Sequence, residues 1–305
     1  MQARSTPSPD ATVATAERFE LGEGPVWDGP RARLLWVDIA AGLVYEGGLA
    51  DGRITPRGRT ALGEMTGAVV PSAGGAMLVA GQERLWLLPG EGRPAVPGPR
   101  IIPYGAHRRC NDGATDPAGR FLVGTMSLDG ASTTETLVRL ETDGRLSTLD
   151  DDLGLSNGLA WSADGTRMFS ADTPNHVVWV RSYDAATGAA GPREPFLTLG
   201  EALPDGILTD AADHLWVALW GSGELRRYAP DGTPAGRLEL PAPCVTSVAL
   251  AGPDLGTLVI TTARDELTDA QQRTWPDSGR IFTARAPAPG LPVVPWSGAA
   301  GFGTG

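Results

Sequence analysis

"LPDGILTD" spans Leu203 to Asp210 and puts Pro-Asp-Gly at the head of a short apolar run. Two earlier stretches do the same, "LSNGLAWS" (Leu155–Ser162) and "RCNDGATD" (Arg109–Asp116). Taken singly, an Asx-Gly pair is a turn signal, because Asn, Asp and Gly tolerate the backbone angles of tight turns. Here the pairs recur at one place in a repeat. Units open at Glu23-Gly24, Thr66-Gly67, Asp112-Gly113, Asn157-Gly158, Asp205-Gly206 and Ser247-Val248, with second residues 43, 46, 45, 48 and 42 positions apart.

Each unit continues with an apolar strand, a turn such as "SADG" or "DPAG", and further strands. The runs "RLLWVDI", "AMLVAG", "RFLVGTM", "RMFSAD", "HLWVALW" and "TLVITT" are short, rich in β-branched, aromatic and other apolar residues, and flanked by turn residues. No long 3.6-residue periodicity occurs, so very little helix is expected. A period of about 40–50 residues with several strands per unit indicates an all-β fold, a six-bladed β-propeller. Its ring needs closing. "ATVATAERF" (Ala11–Phe19) precedes the first unit and is expected to supply the outer strand of blade 6, which also protects two sheet edges. Residues 11–305 are then one domain, behind a disordered tail over residues 1–10.

In a propeller the first strand of every blade lines the central channel. Residues at one phase of the repeat therefore converge on one axis. Glu23, Asn111 with Asp112, Asn157 and Asp205 are expected to form a ring of oxygen donors at one mouth, with Thr66 and Ser247 in the two remaining places. Several such oxygens repel one another unless a cation sits among them.

Composition narrows the partners. The formal net charge of -11 argues against nucleic acid or an anionic membrane and suits a cation site. All 25 basic residues are arginine, which excludes Schiff-base lysine chemistry and a P-loop lysine. Cys110 and Cys244 are too few for a disulfide framework and are expected as buried thiols. Strand alternation points Cys110 away from the channel. No 18-residue apolar run and no signal-peptide core appear, so a cytoplasmic protein is expected. The motifs of serine hydrolases, zinc peptidases and P-loop nucleotidases are missing. His176 and His214 read as structural, whereas His107 lies near the channel by repeat phase. Trp220 and Trp275 fall in loops that border the mouth.

"LGEGPVWD" (Leu21–Asp28), "RCNDGATDPAGRFLVGTM" (Arg109–Met126), "LSNGLAWSADGTRMFSADT" (Leu155–Thr173) and "LPDGILTDAADHLWVALWGSGELRRYAPDG" (Leu203–Gly232) together resemble the gluconolactonase family, which includes senescence marker protein and luciferin-regenerating enzyme. The resemblance implies a six-bladed propeller with a divalent cation in its channel and hydrolysis of sugar lactones. It assigns Glu23, Asn157 and Asp205 to the metal, Arg109 and Asp129 to substrate, and Asn111 to metal or substrate. Asp129 stands where the family often has glutamate. The segment after Met126, "SLDGASTTETLVRL", departs from the family's usual Gly-Ala/Ser-Leu-Tyr, which leaves the sugar unspecified.

The chemistry implied is Lewis-acid polarisation of a lactone carbonyl, with Asp205 or Asp112 taking a proton from the attacking water. Carboxylate and amide donors suit Ca²⁺, Mg²⁺, Mn²⁺, Fe²⁺ or Zn²⁺. Two other readings stand beside this one. One is a related metal-dependent enzyme acting on a non-sugar substrate in secondary metabolism, and the other is a non-catalytic binding propeller. Activity lost on chelation while the fold survives separates enzyme from binding module.

Overall fold

A computed structural model describes residues 11–90 and 92–298. The tail expected over residues 1–10 lies outside the described residues. Six four-stranded antiparallel sheets form the blades of a propeller. Their inner strands are Gly22–Asp28, Ala68–Pro71, Arg108–Thr115, Ser156–Trp161, Leu203–Thr209 and Val245–Ala251. Helix is confined, among the described residues, to Asp269–Thr274 and two three-residue 3-10 turns. The ring closes as the sequence leads one to expect. Thr12 and Val13 pair with Thr283 and Phe282 on the edge of blade 6.

The core is divided among the gaps between blades, because each sheet has two apolar faces and a neighbour on both sides. Phe19, Trp36 and Tyr45 pack at the closure between blades 6 and 1, with Trp36 stacked on Tyr45 at 5.3 Å and Phe19 edge-on to both. Trp216, Val248, Leu258 and Phe282 fill the gap between blades 5 and 6. Cys110 is fully buried with Val70 and Phe121 between blades 2 and 3, away from the channel. Both cysteines are free.

Asx-Gly does not mark turns here. In five blades the inner strand carries one residue more than its partner at this point. The bulges fall between Glu23 and Val26, Cys110 and Gly113, Ser156 and Leu159, Pro204 and Ile207, and Val245 and Ser247. Such a bulge breaks the alternation and re-aims a side chain. Register also corrects the repeat phase. Asn111, rather than Asp112, holds the bulge position shared by Asn157 and Asp205. Glu23 stands one residue before the equivalent place.

The glycines serve close approach. A Cβ on Gly158 would lie 2.4 Å from the Ile207 nitrogen, and one on Gly206 would lie 2.2 Å from Ser247 Oγ and 2.7 Å from its Cα. Neighbouring inner strands can crowd round the channel only where this side chain is missing.

A strap that the repeat pattern does not reveal crosses the opposite end of the channel. Ala211 N–H donates to the Pro289 carbonyl, Gly290 to Leu255 and Trp296 to Pro71, and Thr115 Oγ1 donates to the Val294 carbonyl at 2.5 Å. Leu291 to Val294 thereby wall a largely apolar channel cavity of about 460 Å³.

Gly206→Ala is expected to destabilise the protein by about 1–3 kcal/mol through overpacking against Ser247. Gly236→Ala, in an exposed outer strand where an added Cβ meets nothing within 4 Å, should change little. Urea unfolding of both variants checks this, and equal midpoints would contradict the close-approach role.

Candidate active site

At the mouth opposite the strap, the bulged strands bring Glu23, Asn157 and Asp205 together, at 6%, 5% and 5% exposure. Local hydrogen bonds fix how each strand arrives. Asp38 accepts from the N–H groups of Glu20 and Leu21, just ahead of Glu23. Asp172 accepts in the same way from Gly154 and Leu155, just ahead of Asn157. The Asn157 amide is oriented as well. Its Nδ2 donates to Thr173 Oγ1 at 3.1 Å, and that hydroxyl donates to the Pro204 carbonyl at 2.7 Å.

This leaves Asn157 Oδ1 and Asp205 Oδ1 buried without a hydrogen-bond partner. Unpaired buried oxygens of this kind are costly. Burial raises the Glu23 carboxyl well above its ordinary value, and the charges of Asp205 and Asp112 raise it further. Asp205 is raised by burial and then by Asp112, with the approach of Asn157 and Glu23 opposing the rise. Among the described residues no three His, Cys, Asp or Glu side chains gather as a metal-ligand cluster. The donor set is two carboxyls completed by an amide. Hard oxygen donors with unpaired lone pairs fit a divalent cation of the Ca²⁺ or Mg²⁺ type.

Arg109 and Asn111 are coupled along the inner strand of blade 3. Arg109 Nη1 donates to Asn111 Oδ1 at 2.7 Å and to the Cys110 carbonyl at 3.1 Å. Asn111 Nδ2 donates to the Ser156 carbonyl. The Asn111 oxygen is therefore occupied by the guanidinium, although it shares the phase of Asn157 and Asp205. Burial lowers Arg109 to about 10, against the pull of Glu23, Asp205 and Asp265, and it stays charged at neutral pH. Asp265 carries no signal in the sequence, because its loop, "TTARDELTD", has no repeat phase.

The remaining sequence candidates are dispersed. Asp112 lies one residue past the bulge position and lines the channel cavity towards the strap. It accepts from Gly113 N–H, and burial raises it from 3.8 to about 6. Asp129 sits on a blade 3 loop, 69% exposed at its side chain, 3.2 Å from His107 Nδ1. His176 and His214 each approach a backbone carbonyl through Nδ1. Trp220 ends the Leu215–Trp220 strand rather than lying in a loop, and with Trp275 it lines a crevice beside Cys244.

Residues 21–264 match the model of the SMP-30/Gluconolactonase/LRE-like region. The chain belongs to this family. Pentonolactonase XacC of Haloferax volcanii is 34% identical over 89% of this chain and 93% of its own. The 6-deoxy-6-sulfogluconolactonase of Pseudomonas putida is also 34% identical, over 88% of this chain and 92% of its own. Among solved structures, the calcium-binding protein regucalcin from Agrobacterium tumefaciens superposes with a TM-score of 0.88 at 28% identity, covering 94% of this chain and 97% of that one. No helix among the described residues is long and apolar enough to cross a membrane.

For this family member the carboxyl ring has a pH signature. A raised carboxyl binds its proton more tightly folded than unfolded. Its stabilisation is complete below the unfolded value and is lost as pH rises through the folded one. For Asp112 that window runs from 3.8 to about 6, and Glu23 and Asp205 act in the same direction. The melting temperature of chelator-treated protein should fall as pH rises from about 4 through about 6, and Asp205→Asn should flatten the slope. Identical pH profiles for the two proteins would contradict this.

Proposed function

We propose that this chain hydrolyses a sugar-type lactone at the mouth of its channel, with a divalent cation held by Glu23, Asn157 and Asp205. The observation that carries the reading is the pair of unpartnered buried oxygens on Asn157 and Asp205, facing a buried carboxyl of Glu23. The names of the two 34%-identical relatives supply the reaction class. Ca²⁺, Mg²⁺, Mn²⁺, Fe²⁺ and Zn²⁺ all accept such donors. When bound, the cation supplies Lewis-acid polarisation of the lactone carbonyl and offsets the negative charge that develops on its oxygen.

The protein's own groups do the rest. Asp205 takes a proton from water as the water oxygen bonds to the carbonyl carbon. The ring C–O bond then breaks, and the proton passes to the departing alkoxide to give the open hydroxy acid. Asp112 raises the proton affinity of Asp205 through its charge. Arg109, held by Asn111, binds substrate hydroxyls or a carboxylate. Asp129, with His107 beside it, contacts the outer part of the substrate from the rim.

Asp205→Ala is expected to lower kcat by about 100-fold or more, and to weaken cation binding more than Asn157→Ala does, because only the carboxylate carries charge. Arg109→Ala should raise KM about tenfold with cation affinity little changed. Lactone hydrolysis followed by a pH indicator, with calorimetric metal titration of each variant, tests both. Full activity after chelation would remove the cation from the mechanism. Failure to open any lactone would overturn the reaction.

A further inference from the structure

Beside the acidic ring, between blades 5 and 6, a crevice of about 460 Å³ lies between Trp220 and Trp275. Leu240, Pro243, Cys244 and Leu267 extend its apolar wall, and Ser222, Glu266 and Gln271 form a polar edge. Its closeness to the ring is fixed at two points. Trp220 pairs with Leu203, two residues before Asp205. Cys244 lies near enough to Asp205 for that carboxylate's charge to reach the thiol.

The backbone at Trp275 is held in place while the residue remains 40% exposed. It ends the Asp269–Thr274 helix, where its N–H donates to the Gln271 carbonyl. The helix start is fastened by a reciprocal pair. Gln271 N–H donates to Thr268 Oγ1, and Thr268 N–H donates to Gln271 Oε1. A tryptophan presented on a capped helix loses little further freedom when a ligand covers it.

The mouth is consequently two-sided. Arg109 and Asn111 belong to blade 3, across the ring from blade 6. One side offers a guanidinium and an amide, the other two indoles and aliphatic carbon. A bare polyhydroxy lactone has polar groups for the first side and for the polar edge of the second, but no apolar group to cover both indoles.

We propose that the preferred lactone carries, beyond its polar ring, an apolar aryl or alkyl substituent seated between Trp220 and Trp275. This rests on the lactonase reading and specifies its substrate. Aromatic walls favour a flat or branched apolar group through burial and stacking.

The test compares γ-phenyl-γ-butyrolactone, unsubstituted γ-butyrolactone and glucono-δ-lactone on wild type, Trp275→Ala and Trp275→Phe. Wild type should favour the phenyl lactone over the unsubstituted one by roughly tenfold or more in kcat/KM. Trp275→Ala should remove that preference through KM, leave γ-butyrolactone within about twofold, and be largely rescued by Trp275→Phe. Equal rates for the two butyrolactones in wild type would overturn the proposal. So would a loss on glucono-δ-lactone as large as that on the phenyl lactone, since the indoles would then grip the sugar ring itself. If no lactone is opened, the lactonase reading falls, and calorimetric binding of the phenyl lactone decides the crevice separately. Binding weakened about tenfold by Trp275→Ala supports it, and absent or unchanged binding overturns it.

Discussion

Two carboxyls, Glu23 and Asp205, are buried side by side at the head of the channel, and the fold offers neither a full set of partners. Burial pushes both towards the protonated state, and the charge of Asp112 adds to it. A folded chain gains nothing from such an arrangement on its own account, because removing a carboxylate from water without compensation is among the costliest local choices available. A positive ion among the oxygens reverses the balance. Arg109 supplies part of that charge from one side, yet its nearest hydrogen bonds go to Asn111 and the Cys110 carbonyl.

The rest of the structure keeps this arrangement from relaxing. The bulges turn Asn157 and Asp205 to the axis, and Gly158 and Gly206 allow adjacent strands to approach closely enough for their side chains to meet. Asp38, Asp172 and Thr173 spend their hydrogen-bonding capacity on the segments that deliver the ring. At the other end, the strap from Pro289 to Ser297 ties blades 2, 3, 5 and 6 across the channel.

The blade count, the ring closure and the meeting of Asn157 and Asp205 at one mouth were legible because all three follow from repetition. Position in a repeat becomes position around an axis. Asp112 shows where this reasoning slips. "NDG" offers two side chains for one place, and a one-residue bulge, which leaves no mark in composition, gives it to Asn111. The strap, "GLPVVPWSG", was not legible at all. Its chain is extended, rich in proline and paired through single bridges, so neither alternation nor helical periodicity marks it. Asp265 falls in a long insertion within blade 6, outside the repeat, and only the packed structure brings its charge towards Arg109.

The central claim is that the ring holds a cation. Crystals soaked with Mn²⁺ and measured near the manganese absorption edge test it most directly. The account predicts one anomalous peak among the side-chain oxygens of Glu23, Asn157 and Asp205, and its loss in Asp205→Asn. A peak placed elsewhere, or no peak while those three side chains keep their positions, would contradict it.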